Sequence, residues 1–142
     1  MLLFNKNYIS ILSLLLKEFR GEIHSVLDIG MGFAKYGLLP REYLDGWGKS
    51  YKQDEWRTYI AGVDIYRSNY TNNYSLIYSN ISHNNTIFDP YDTKDDVYSY
   101  DIITITDINF QNENIKTQII RYMQTTNRFI YIKSRSNACE MF

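Results

Sequence analysis

At 142 residues, with a net charge of −1 and a pI near 6.1, the chain is long enough for one domain with a core, and it has no general basic field to hold nucleic acid through phosphates. Its one cysteine, Cys139, excludes an intramolecular disulfide and a cysteine-built zinc site, and fits a reducing, cytoplasmic setting.

In chain order, the first element is a helix. Ile9, Leu12, Leu16 and Phe19 recur at three- and four-residue steps, which makes one apolar face, and Gly21 stops it. The apolar run Tyr8 to Leu16 follows the polar Asn5, Lys6 and Asn7, has no small-residue cleavage site after it, and is too short to span a bilayer. It is therefore expected to pack on a sheet, with no membrane role. Val26, Leu27 and Ile29 then read as a buried strand ending at Asp28 and Ile29. Gly30 and Gly32 allow a tight turn with close backbone approach to a ligand, and Phe33 to Leu39 continues with helical character. A strand, a glycine turn and a helix present backbone N–H groups to a polar ligand. A dinucleotide fingerprint would need glycine at position 35, which is Lys35, and this argues against a nicotinamide-dependent oxidoreductase.

Val26-Leu-Asp-Ile-Gly-x-Gly-x-Ala34 resembles motif I of the class I S-adenosylmethionine-dependent methyltransferases. Lys35-Tyr-Gly37 and Arg41-Glu-Tyr-Leu-Asp45 are similar to one bacterial and phage branch of that superfamily. The resemblance implies a doubly wound, mostly parallel α/β sheet in the order 3-2-1-4-5, without the family's usual C-terminal antiparallel strands. It also implies S-adenosylmethionine as cofactor, with Asp28, Gly30 and Gly32 lining its methionine end.

Beyond the turn, Pro40 interrupts the second helix or opens a fresh turn, and Arg41 to Leu44 continues it. Residues 45–57 form a long excursion in which Trp47, Tyr51 and Trp56 either wall a substrate cleft or pin the loop to the core, the second being the plainer reading. Tyr59 to Ile65 is the second strand. The resemblance implies that Asp64 accepts the ribose hydroxyls, with Ile65 beside it in the cofactor site. Ser75 to Asn80 reads as the third strand. The family usually has an acid just after it to hold the adenine amino group; here Asn80 stands in that place and Ile81 is expected to pack on the adenine face.

Residues 82–100 read as a polar loop whose acids Asp92, Asp95 and Asp96 are solvated, so no metal is expected. Asp101 to Thr106 is the fourth strand, and Asp107 after it is placed by the resemblance near the reacting centre. The branch commonly continues with Glu-His, where this chain has Phe110 and Gln111, which removes the obvious general base; no residue is assigned to catalysis. A helix through Ile115, Ile119, Tyr122 and Met123, capped by Asn112 or Asn114, precedes a fifth strand, Phe129 to Lys133. An apolar edge on that strand would pair with a second copy or a partner. Two functions follow: a small methyltransferase acting on an unidentified acceptor, or a non-catalytic methyltransferase-like module used in binding or assembly.

Overall fold

The computed structural model of the chain describes residues 3–31, 34–46, 53–63, 72–82, 98–106, 113–126 and 128–132. Helix α1 (Leu3–Glu18) leads into β1 (Ser25–Ile29), and α2 (Lys35–Pro40) runs on into a π-helical turn, Arg41–Gly46. A short 3-10 turn, Gln53–Glu55, precedes β2 (Tyr59–Val63), and a second, Asn72–Leu76, precedes β3 (Asn80–Ser82). The chain then gives β4 (Ile102–Thr106), α3 (Glu113–Met123) and β5 (Phe129–Ile132).

The five strands form one sheet in the order β3-β2-β1-β4-β5, every pair parallel, as the motif's resemblance implies. Parallel strands are covered on both faces and so read as continuous apolar runs. That is why the branched residues of β1, β2 and β4 were legible as strands. Alternate residues serve opposite faces. Val26, Ile60, Ile102 and Ile130 pack with Leu12 and Leu16 of α1 and with Tyr74 and Tyr78. Leu27, Ile29, Ala61, Val63, Ile103 and Ile105 pack with Ile119 and Tyr122 of α3. Helices therefore cover both faces, and the sheet is doubly wound.

The third strand differs from the sequence reading. Ser75 and Leu76 lie in the 3-10 turn, Ile77 and Tyr78 follow it, and β3 begins at Asn80, where the sequence reading ends the strand. The reason is a four-residue spacing of buried rings. Tyr74 and Tyr78 are both buried and meet edge to face at 5.8 Å, while Leu76 between them is 66% exposed. Both Ile77 and Tyr78 donate their N–H to the Tyr74 carbonyl, so the chain curls until Ser79 donates to Ile60 and joins the sheet. Asn114 lies inside α3, which starts at Glu113, and so does not cap it; Asn112 lies outside the described residues.

At the amino-terminal edge of the sheet, polar side chains tie the strands together. The Asp101 carboxylate accepts the N–H groups of His24 and Ser25, at 2.7 and 3.2 Å. Arg41 is buried, and its Nε donates to the Ile77 carbonyl at 2.8 Å. Its Nη1 donates to Asp45 at 2.5 Å and to the Thr58 carbonyl at 2.8 Å, and Nη2 donates to Ser79 Oγ at 3.0 Å. Asp45 also accepts the Arg57 N–H at 3.0 Å.

Candidate cofactor site

Strand order reverses between β1 and β4, and in open parallel sheets the ligand crevice lies outside the carboxyl ends of the strands at such a switch point. There Ile29 of β1 stands beside Val63 of β2 and Ile105 of β4. Gly30 follows at φ 81, a left-handed conformation that glycine adopts at no steric cost. The N–H groups of Gly30 and Met31 both donate to the Val63 carbonyl, at 2.7 and 3.2 Å, so the start of the turn is stitched to β2. Ala34, at the third position of the glycine motif, also lies in the left-handed region, at φ 69 and ψ 19. An alanine there costs about 1 kcal/mol. Gly30 and Ala34 thus both take the left-handed conformation, the second with a side chain.

Asp28 is fully buried beneath this turn. The Tyr78 hydroxyl donates to its Oδ2 at 2.6 Å, and Thr104 Oγ1 donates to its Oδ1 at 2.9 Å. Thr104 is the register partner of Asp28 on β4. Tyr78 arrives from the segment before β3, crosses β2 at Gly62, and lies under Gly37 of α2. Tyr78 is not legible as a site residue in the sequence, because the run Ser75 to Asn80 reads as a strand, whereas Tyr78 precedes β3. Its four-residue spacing from Tyr74 was the available signal.

Of the other cofactor-lining candidates, Asn80 and Ile81 are half-buried and paired with Ala61 and Gly62, so both stand within β3 and not after it. Ile81 packs against the buried cluster on the α1 face. The carboxyl end of β3 is Ser82, beside Val63. Gly32, Asp64, Ile65 and Asp107 lie outside the described residues, as do Trp47, Tyr51, Phe110, Gln111, Asp92, Asp95, Asp96 and Cys139. Trp56 is described, and its ring lies 3.6 Å under the Arg41 guanidinium, so this tryptophan pins its loop to the core.

Two clefts of about 400 and 370 Å³ open near the amino-terminal edge, lined by Trp56, Arg57, Thr58 and Tyr59 and by Arg20, His24 and Leu44 among others. Neither is lined by Asp28 or Gly30. Among the described residues no helix is long and apolar enough to cross a membrane, and no cluster of three or more His, Cys, Asp or Glu could hold a metal ion.

The fold that these elements define is the class I methyltransferase-like fold. The plantazolicin methyltransferase BpumL, solved with S-adenosylhomocysteine, superposes with a TM-score of 0.50 at 17% identity, over 92% of this chain and 47% of that one. The plantazolicin methyltransferase BamL, in complex with a triazolic desmethylPZN analog and S-adenosylhomocysteine, gives 0.48 at 20% identity, over 84% of this chain and 41% of that one. The N-terminal domain of human METTL16 with S-adenosylhomocysteine gives 0.49 at 16% identity, over 97% and 57%. The chain thus spans 41–57% of the length of these structures. No protein-family profile and no curated protein matches the sequence.

Proposed function

We propose that this chain binds S-adenosylmethionine in the manner of a class I methyltransferase and presents its methyl group to an acceptor. The observation that carries the reading is the left-handed Gly30 turn above buried Asp28, at the carboxyl end of the central strand and beside the switch point of a 3-2-1-4-5 sheet. In this reading Asp28, Gly30 and Gly32 form the methionine end, and Asp64 with Ile65 holds the ribose. The adenine lies past Asn80 and Ile81, beyond the carboxyl end of β3 at Ser82, and Asp107 stands near the reacting centre. The bound cofactor supplies an already activated sulfonium methyl. The work left to the protein is alignment and exclusion of water, which needs no general base when the acceptor's nucleophile is free at neutral pH.

A second reading, a non-catalytic module used in assembly, draws on the turn itself. The Gly30 and Met31 N–H groups that would face a ligand are spent on Val63, and Ala34 holds a strained conformation. Calorimetric titration with S-adenosylmethionine and then S-adenosylhomocysteine separates the two. A working site gives micromolar affinity, about −8 kcal/mol, and Asp64→Ala abolishes both the heat and the ligand-induced rise in Tm. Absence of binding at millimolar ligand leaves the module reading.

We also propose that the protein self-associates along β5, which among the described residues is hydrogen-bonded to β4 alone. Light scattering at micromolar protein is expected to give at least a dimer mass. A monomer overturns this.

A further inference from the structure

Both carboxyl oxygens of the motif acid beneath the glycine turn are held by hydroxyls of the protein itself. Asp28 is fully buried, and each of its carboxylate oxygens accepts an internal hydroxyl, Tyr78 at 2.6 Å and Thr104 at 2.9 Å. Tyr78 is itself only 3% exposed, so this junction is shielded from solvent. The tyrosine is also confined sideways. A Cβ built on Gly37 would stand 2.5 Å from Tyr78 Cε1, Cζ and Oη, and one built on Gly62 would stand 2.8 Å from Cδ1. The ring therefore passes through a slot whose two walls lack side chains, one wall on α2 and one on β2.

We infer that Tyr78 is a positioning residue for the cofactor turn: its hydroxyl locks Asp28 at the end of β1, and its ring spaces α2 from the sheet, together setting the backbone at Gly30, Met31 and Ala34. Two attachments then fix the turn. Above, Gly30 and Met31 are bonded to Val63; below, the Asp28 carboxylate is bonded to residues from the β3 approach and from β4. Ligand affinity in this arrangement depends on a hydroxyl that the ligand does not touch. The inference rests on the proposed cofactor reading for its effect on affinity, and on the geometry alone for its effect on the turn.

Tyr78→Phe is the test, since it keeps the ring in its slot and removes only the hydroxyl. Ser79→Ala is the control. It removes a neighbouring hydroxyl that accepts from Ile60 and Arg41 at the other end of the sheet. Affinity for S-adenosylhomocysteine is expected to fall about tenfold in Tyr78→Phe and to stay unchanged in Ser79→Ala, with both proteins folded at the assay temperature. Hydrogen exchange of the Gly30 and Met31 amides, measured without ligand, is expected to speed up in Tyr78→Phe alone. Wild-type affinity in Tyr78→Phe overturns the inference. Failure of the wild type to bind S-adenosylhomocysteine overturns the cofactor reading instead; the exchange measurement then decides, faster turn exchange upholding Tyr78 as a positioning residue and unchanged exchange refuting it.

Discussion

Arg41→Met is expected to lower the free energy of unfolding by about 3–5 kcal/mol, the usual result of removing one partner from a buried ion pair. Arg41 is 6% exposed and Asp45 is 1% exposed, so methionine would leave a carboxylate buried with its cation gone. It would also strip the donors from the Ile77 and Thr58 carbonyls and from Ser79 Oγ, which lie in segments leading into β3 and β2. Burial pulls the Arg41 guanidinium below its ordinary pKa, a shift that the hydrogen bond and charge of Asp45 only partly oppose. Arg41→Lys is not conservative: the charge survives, but the planar fork on four partners and the stacking on Trp56 do not. Replacing Arg41 and Asp45 together by Met and Leu should recover part of the loss, because no charge is then left buried, although the Arg57 N–H loses its acceptor. Urea denaturation of the three variants measures this. A loss under 1 kcal/mol for Arg41→Met would show that the network is dispensable.

The same network marks where sequence reasoning stops. The central strands were legible because a parallel sheet buries both faces and leaves unbroken branched runs, as in Ile102 to Ile105. The glycine turn was legible because Gly30 takes a conformation that few other residues adopt, so the residue type itself reports the backbone. Ala34 breaks that correspondence, taking the left-handed path without the residue that announces it. The sequence reading places Arg41 in a helix that ends at Leu44 and Asp45 in the excursion after it, whereas the two pair within one turn and their partners at 57, 58, 77 and 79 come from two other segments, which no local pattern joins. The third strand failed for a related reason. Alternation through Leu76 and Tyr78 imitates a strand, while the rings of Tyr74 and Tyr78 pack together at helical spacing. Within the site, Asp28 was found by its place in a motif, whereas Tyr78, 50 residues away, was found only by the bond it makes.

Gly37→Ala, which in an ordinary helix interior would stabilise by up to about 1 kcal/mol, is expected here to destabilise by about 1–3 kcal/mol. Gly37 is not held at positive φ, so the cost is not backbone strain. It is steric: the new methyl would stand 2.5 Å from three atoms of the Tyr78 ring. The ring has nowhere to go. Gly62 bounds it on the β2 side, Tyr74 meets it edge to face at 5.8 Å, and its hydroxyl is held by Asp28. Relief requires α2 to lift or the hydroxyl to leave Asp28, and either movement disturbs the turn above. The sign reversal is therefore the informative quantity, and a double-mutant cycle isolates it. In a Tyr78→Ala background the clash is gone, so adding Gly37→Ala should become neutral or stabilising, with a coupling energy of about 2 kcal/mol or more. Gly37→Ala that destabilises equally in both backgrounds would place its cost elsewhere on α2. Loss of the penalty with Tyr78 would show that the glycine of Lys35-Tyr-Gly37 is there to admit a ring beneath the helix, and not to bend the chain or approach a ligand.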